Sequence, residues 1–274
     1  MIQHLIEEIY EENLQEVEKL KKDRNIKQPY IVILSTTDDE PSRRYVMNKM
    51  KKCKENDIKC EVKYPTSIES LKWMIEVANN DPQVTGIIAQ FPLASYVKNP
   101  QEVFDMIKPE KDIDRLHSKF YYDKDPNNLP LTAEGLERLL QKVSSKFPYE
   151  CKRILFLGNG MTTNKRLFLH MFDKGQFDCR IANSKTPKHS IRELIDWSDI
   201  ILSGIGKENS LECKGKIVIS PSIIKTENGF RSDLIEELRT ANVTHKVIGS
   251  IGKLTTSNLI LRAYKDAKQQ SAEI

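Results

Sequence analysis

The sequence predicts an α/β fold of two domains, an N-terminal α/β domain followed by a Rossmann-like domain with a parallel sheet. Three observations carry that expectation. Short β-branched runs alternate with stretches of helical apolar spacing, the pattern of right-handed strand–helix–strand crossovers. The alternation breaks between Pro92 and Pro130 and resumes after a helix that starts near Thr132. The length of 274 residues accommodates about two domains of roughly 150 residues.

Taken in order, Ile2, Leu5, Ile6, Ile9, Leu14, Val17 and Leu20 recur at near-helical spacing and predict an opening helix. Tyr30–Ser35 is a β-branched run after Pro29, hence a strand. A helix over Ser42–Asn56, a strand at Ile58–Tyr64, a helix over Ser67–Asn79 and a strand at Thr85–Gln90 follow. Val46, Met50 and Cys53 account for the core face of the first of those helices. The segment from Pro92 to Pro130 is rich in Asp, Lys, Asn and Pro, with one short helix started by Asn99-Pro100. A long irregular segment of this kind is more often functional than decorative. From Thr132 a helix runs through Leu136, Leu139, Leu140 and Val143, and the domain boundary falls there. The second series has strands at Lys152–Leu157, Phe177–Ala182, Asp199–Ser203, Lys216–Ser220 and His245–Ile248, and a closing helix over Thr255–Gln269.

Composition narrows the function classes. Lysine plus arginine number 43 against 39 acids, a net charge of +4 with the two signs interleaved, which does not mark a nucleic-acid binder. Apolar runs such as Ile31–Leu34 and Ile154–Leu157 fall far short of the roughly 18 residues of a membrane span. The first residues, MIQHLIEEIYEENL, carry acids where a secretory signal carries bases, so the expected location is the cytoplasm. Five cysteines, Cys53, Cys60, Cys151, Cys179 and Cys213, form no CxxC pair; reduced, mostly buried thiols are expected, with no metal site. Asn242-Val243-Thr244 fits a glycosylation pattern that has no meaning in such a chain.

In the second half, RILFLGNGMTTNKRLFLHMF reads as a buried strand, a turn containing Gly158, Asn159 and Gly160, and a helix. Dinucleotide folds place a pyrophosphate at such a turn, because glycine lets the backbone approach and a helix N-terminus offers N–H groups to an anion. The third glycine position of GxGxxG is Thr163, so a plain strand-to-helix turn is the alternative. The next strand ends in Asn183-Ser184-Lys185-Thr186. A hydroxyl and a cation there suit a 2′-phosphate, hence NADP with NAD as the alternative. A solvated turn before Pro187 is the competing reading.

In the first half, Tyr45 and Lys49 stand four residues apart on one helix face. Lys49 could act as a general base if its surroundings eased its proton off, with Tyr45 orienting it. Gln90 ends the apolar strand GIIAQ, and a polar side chain at the carboxyl end of a parallel strand opens where such sheets bind ligands. Asp112 and Asp114, in PEKDID, could accept hydrogen bonds from an amino-pyrimidine-like edge. Each has a bland alternative: a solvated lysine, a backbone-satisfied amide, an acidic loop.

Taken in order, YVMNK at 45–49, NNDPQVTGIIAQFPL at 79–93, IKPEKDID at 107–114, LPLTAEGLERLL at 129–140, the GNG turn, NSKT at 183–186 and GSIGKLTTSNLIL at 249–261 resemble the bifunctional methylenetetrahydrofolate dehydrogenase/methenyltetrahydrofolate cyclohydrolase family, collinearly over nearly the whole chain. The resemblance implies a folate-binding catalytic domain over 1–131, with the closing helix 254–274 packed back on it. It implies a Rossmann-like NAD(P)-binding domain over 132–253, a crevice between the two, and a homodimer formed through the latter. Tyr45, Lys49 and Gln90 would be catalytic, and Asp114, Tyr45 and Thr255 would hold the tetrahydrofolate substrate. Gly158, Asn159, Gly160, Ser184 and Lys185 would hold NADP. Lys49 would give and take the protons as the imidazolinium ring is hydrated and opened, with Gln90 tuning its charge and Tyr45 positioning it. Neither a nucleic acid nor a membrane is implied as partner.

The departures concentrate in the second half. The family's GRSxxVGxP-like turn here reads Gly158-Asn159-Gly160-Met161-Thr162-Thr163-Asn164-Lys165-Arg166, without the arginine, serine, later glycine and proline. The VIDVGI-like strand end is Val218–Ile223, and the PGGVGPMT-like loop keeps Gly249, Gly252 and Thr255 but no proline. In the first half, Arg115 replaces the glycine after the second aspartate of the folate loop, and Leu131 and Ala133 replace cysteine and proline of a PCTP-like segment. Three readings follow: a bifunctional enzyme that oxidises 5,10-methylenetetrahydrofolate and hydrolyses the product to 10-formyltetrahydrofolate, a cyclohydrolase alone, or a non-catalytic folate- or nucleotide-binding paralogue.

Overall fold

The computed structural model describes residues 2–146, 152–207, 211–213, 215–226, 229–233, 245–248 and 251–272. Cys151, Asn242–Thr244 and Gly249 lie outside them. The elements in chain order are α1 (Ile2–Lys21), β1 (Tyr30–Ser35), α2 (Glu40–Glu55), β2 (Lys59–Lys63), α3 (Ile68–Asn80), β3 (Gly86–Gln90), α4 (Pro100–Met106) and α5 (Leu131–Lys146). Then come β4 (Arg153–Leu157), α6 (Asn164–Lys174), β5 (Asp178–Ala182), α7 (Lys188–Trp197), β6 (Ile200–Ser203), β7 (Ile217–Ser220), β8 (Ile223–Thr226), β9 (Gly229–Ser232), β10 (His245–Ile248) and α8 (Ile251–Ala272). The chain divides into two compact units, Glu11–Tyr121 with Thr256–Ile274, and Met1–Tyr10 with Tyr122–Thr255.

The first unit is built on a parallel sheet of order β2-β1-β3. Every residue of β1 and β3 is buried, as a strand covered on both faces requires. The free edge of β3 is closed by the segment after α4: Ile87 bridges Asp112 in parallel, and the Ile113 N–H donates to the Ile87 carbonyl at 3.3 Å. Contact is tight, since a Cβ built on Gly86 would lie 2.3 Å from Ile113 Cγ1, so a larger residue there would force the Ile113 side chain to shift. An edge strand with unmet N–H and C=O groups is a liability, and this loop removes it. Within the same unit Asn13 donates to Ser257 Oγ at 2.9 Å and Asn258 Oδ1 at 2.7 Å, and Tyr264 to the Asn56 carbonyl at 2.9 Å, which ties α8 to α1 and to the end of α2.

The second unit carries a five-stranded parallel sheet of order β10-β7-β6-β4-β5 and an antiparallel hairpin, β8–β9. Alternate residues of its strands feed two cores. Ile154, Phe156, Ile200, Leu202, Ile217 and Ile219 pack with Leu136, Leu139, Leu140 and Val143 of α5 and with Ile2, Leu5, Ile6 and Ile9 of α1. Leu155, Leu157, Ile201 and Val218 pack with Ile195 and Cys213. The first turns of α1 therefore belong with the second-half sheet.

Several elements differ from the sequence pattern for local reasons. Helix α2 starts at Glu40, because Asp39 caps it: its carboxylate accepts the Ser42 N–H at 2.9 Å and hydroxyl at 2.8 Å. Met50 is 38% exposed and the described buried positions of α2 are Ser42, Val46, Lys49 and Cys53, so the expected methionine on the core face is replaced by a lysine. The span from Pro92 to Pro130 holds α4, capped by Asn99, and three single turns of 3₁₀ helix, at Pro109–Lys111, Ser118–Phe120 and Pro126–Asn128. Helix α8 begins at Ile251 and not at Thr255, and the β8–β9 hairpin has no counterpart in the predicted elements. Cys53, Cys179 and Cys213 are buried and Cys60 half-buried, all as free thiols. Among the described residues no helix is long and apolar enough to cross a membrane, and no group of His, Cys, Asp and Glu could hold a metal.

Lys111, although buried, is satisfied by the end of α3. Its ammonium donates to the carbonyls of Ala78 (3.1 Å), Asn79 (2.9 Å) and Asp81 (2.7 Å), a cation at a helix C-terminus. Lys111→Met keeps the stem and strips those carbonyls of their donor. We expect it to cost about 1–3 kcal/mol, read as a lower urea midpoint with an unchanged slope.

Candidate active site

The carboxyl ends of β1 and β3 form the floor of the site in the first unit. The Ala94 N–H donates to Thr36 Oγ1 at 2.8 Å, joining the loops that follow the two strands. Gln90 is the last residue of β3, paired with Ser35 of β1. Its Nε2 donates to the Phe91 carbonyl at 2.7 Å, which turns its Oε1 towards α2. There the Lys49 ammonium donates to Oε1 at 3.0 Å and stands 3.7 Å from Asp114 Oδ2. Lys49 is 7% exposed, and its two oxygen partners are what make such burial tolerable. The Phe91-Pro92 bond is cis.

The structure thus brings together Lys49, Gln90 and Asp114. Tyr45 lies one turn earlier on α2, 45% exposed, with desolvation holding its phenol above the ordinary value. An amine that can exchange protons, an amide oxygen that receives its N–H, a carboxylate and a half-exposed aromatic ring make a site for acid–base work on a flat polar substrate.

Asp112 plays a different part. It is 2% exposed and accepts the His117 N–H at 2.8 Å, so it shapes the loop and does not face a ligand. Burial pushes its carboxyl up to about 6, with the His117 hydrogen bond opposing and the Asp114 charge reinforcing the shift.

In the second unit, Gly158 follows β4 with φ of +87°, and a Cβ there would lie 2.4 Å from the Gly204 carbonyl oxygen. Only glycine meets both conditions. Around Gly160 nothing lies within 4 Å of a built Cβ, so the turn is open on that side. Asn159 is exposed beside it, and so are Ser184 and Lys185 at the end of β5. Asn183 fixes the turn of those two, its Oδ1 accepting the Lys185 N–H at 2.9 Å and its carbonyl the Thr186 N–H at 2.9 Å. An open glycine turn next to an exposed hydroxyl and cation fits a nucleotide phosphate.

The helix N-terminus offers less than the sequence pattern promised. The N–H groups of Thr163 and Lys165 are both spent on the Gly160 carbonyl, at 3.3 and 3.1 Å. Thr255, in this unit, shares a hydrogen bond of 3.0 Å with Thr132.

Two residues that sequence reasoning did not single out close the strand ends here. Asn164, 1% exposed, donates to the carbonyls of Leu157 (2.8 Å), Gly158 (3.2 Å) and Leu202 (3.3 Å). Asp233, fully buried, accepts from Ser203 Oγ at 3.2 Å, from the N–H groups of Ile205 (2.9 Å) and Gly206 (3.1 Å), and from Ser220 Oγ at 2.7 Å. Asn164 could have been found from its place in the glycine turn. Asp233 follows a hairpin that no local pattern announced.

Because Asp112 holds its proton more tightly when folded, the unfolded chain has lost it at pH values where the folded one keeps it. Its contribution is present below about pH 4 and is lost as pH rises through about 6. Asp112→Asn should remove this term. Urea titrations from pH 4 to 7 should show the variant gaining on the parent by on the order of 3 kcal/mol.

Comparison with known proteins places these features. Residues 2–114 match the family model described as tetrahydrofolate dehydrogenase/cyclohydrolase, catalytic domain, the stretch that contains Tyr45, Lys49, Gln90 and Asp114. The bifunctional protein FolD of Pelagibacter ubique is 29% identical over 265 residues, covering 92% of each chain. Among solved structures, the bifunctional 5,10-methylenetetrahydrofolate dehydrogenase/cyclohydrolase of Thermoplasma acidophilum superposes with a TM-score of 0.80 at 19% identity, over 97% of this chain and 98% of that one. The methylenetetrahydrofolate dehydrogenase-cyclohydrolase of Trypanosoma brucei, complexed with NADP cofactor and inhibitor, gives 0.80 at 20% identity over 99% and 97%. These likenesses to solved structures establish the α/β fold. The family-model match over residues 2–114 and the relatives over most of the chain show that the protein is similar to the tetrahydrofolate dehydrogenase/cyclohydrolases.

Proposed function

We propose that the protein oxidises 5,10-methylenetetrahydrofolate to 5,10-methenyltetrahydrofolate with NADP and hydrolyses the product to 10-formyltetrahydrofolate. The observation that carries the reading is the buried Lys49 ammonium, 3.0 Å from Gln90 Oε1 and 3.7 Å from Asp114 Oδ2. Hydration of the methenyl bridge needs a proton taken from the attacking water and a proton delivered to the ring nitrogen that leaves. One amine can do both in turn. Gln90 Oε1 holds Lys49 Nζ at a fixed point, and Asp114 supplies a carboxylate for the amino-pyrimidine edge of the pterin. Tyr45 offers its exposed ring as a stacking surface, and Thr255 a hydroxyl for the substrate.

In the second unit Gly158, Asn159, Gly160, Ser184 and Lys185 are the residues we assign to NADP. When bound, NADP accepts the hydride. Ser184 and Lys185 favour it over NAD, because a hydroxyl and a cation suit a 2′-phosphate where an acid would suit a free ribose. A homodimer acting in the cytoplasm completes the proposal.

A second reading, hydrolysis alone, is favoured by one observation: the two α6 N–H groups closed on the Gly160 carbonyl are lost to a phosphate. The deciding experiment follows reduced cofactor from methylenetetrahydrofolate with NADP and with NAD, and separately the loss of added methenyltetrahydrofolate. Turnover of both supports the bifunctional enzyme, hydrolysis alone the second reading, and silence in both from folded protein overturns the two together. Lys49→Met should lower hydrolysis at least about 100-fold while circular dichroism stays that of the parent; hydrolysis at the parent rate would remove Lys49 from the mechanism.

A further inference from the structure

Helix α8 carries Arg262, Asp266 and Gln270 at four-residue intervals, hence along one stripe of the helix, and all three are buried. Each grips the segment that carries Asp114. Gln270 Nε2 donates to the Glu110 carbonyl at 2.8 Å, and also to that of Thr85 at 2.9 Å, just before β3. Arg262 Nη1 donates to the Ile113 carbonyl at 2.9 Å. Asp266 Oδ1 accepts from Arg115 Nη2 at 2.6 Å, and Arg115 Nη1 turns back to the Asp112 carbonyl.

Both neighbours of Asp114 are therefore anchored to one helix, Ile113 through its carbonyl and Arg115 through its side chain. Arg115 has φ of +53°, a left-handed conformation that costs a non-glycine residue free energy. The ion pair with Asp266, and the Phe120 ring centroid 5.3 Å from the guanidinium, hold it there. A carboxylate whose two neighbours are fixed keeps only its own side-chain torsions.

We propose that Arg262, Asp266 and Gln270 are positioning residues for the hydrolysis: through the backbone of Glu110–Arg115 they set the Asp114 carboxylate beside the Lys49 amine. This rests on the proposed function for its chemistry, but the placement of Asp114 is testable without turnover. The Lys49 amine is nearly buried and stands 3.7 Å from Asp114 Oδ2, so this ion pair shields it from acetic anhydride. Displacing Asp114 breaks the pair and raises the labelling rate.

The test compares the parent with Asp266→Asn, Gln270→Met, Asp114→Asn and the double variant Asp114→Asn/Asp266→Asn, each checked for native circular dichroism. Lys49 acetylation is read by mass spectrometry and methenyltetrahydrofolate hydrolysis by kcat and KM. Gln270→Met breaks only uncharged hydrogen bonds, so it serves if Asp266→Asn does not fold. We expect labelling to rise at least threefold in Asp266→Asn or Gln270→Met, in the same sense as in Asp114→Asn. We also expect kcat/KM to fall about tenfold, and Asp266→Asn to add less than twofold in the Asp114→Asn background, the non-additivity of residues that act through one another. Raised labelling in the variants of a parent that hydrolyses nothing leaves the positioning intact and removes the proposed function. Folded variants with parent labelling overturn the positioning role, whatever they lose in stability.

Discussion

An ammonium group taken out of water has to be met by oxygens, and that requirement at Lys49 organises the first unit. With the side chain nearly buried, leaving it unpaired would cost several kcal/mol. Among the described residues, two elements supply oxygens to it: β3, which ends in Gln90, and the loop that carries Asp114. The glycine at the start of β3 makes room for the Ile113 side chain, whose Cγ1 would lie 2.3 Å from a Cβ built there. The features that make the amine chemically useful are also those that let it be buried.

The second unit meets a different constraint, the unsatisfied backbone at the carboxyl ends of its strands. Where β4 and β6 end, the chain passes so closely that Gly158 and the Gly204 carbonyl leave no room for a Cβ. The nearby carbonyls and N–H groups are met by side chains, Asn164 for three carbonyls and Asp233 for two N–H groups and two hydroxyls. Buried side-chain amides and carboxylates that satisfy several groups at once rigidify a loop. Here they close the strand ends through side chains, so the sheet does not rely on further glycines there.

The strand–helix alternation was readable because β1, β3, β6 and β7 are buried on both faces and so read as short continuous apolar runs, set between stretches of helical apolar spacing. The sheet order and the β8–β9 hairpin were not, because neither rests on a local period. At the site, Tyr45 and Lys49 were visible as a helix pair and Gln90 as a polar residue ending an apolar strand. That Lys49 takes a core position while Met50 faces outward reverses the hydrophobic ranking, and only the partners supplied by β3 and the Asp114 loop explain it. Asp112 and Asp114 looked equivalent in PEKDID; the folded loop separates them, burying Asp112 on the His117 N–H and leaving Asp114 Oδ2 3.7 Å from Lys49. The sequence pattern divides the chain near Thr132, while the compact units divide at Tyr10, Tyr121 and Thr255, because a helix period continues unbroken through α1 and α8 while the core it feeds changes.

Arg115 shows how a left-handed backbone position can be held by a side chain where glycine would need none. The resemblance places a glycine after the second aspartate, where a left-handed backbone needs no side chain. Arginine at φ of +53° gives up that freedom and is disfavoured by about 1–2 kcal/mol. A bare backbone penalty would be relieved by relaxing the loop, and the loop has not relaxed. The guanidinium is therefore held from elsewhere, and its partner Asp266 is as buried as it is, so neither charge can be removed alone without stranding the other. What glycine provides through a permissive backbone, this chain provides through a buried ion pair to α8. The loop geometry near Lys49 depends on a helix more than a hundred residues further along the chain.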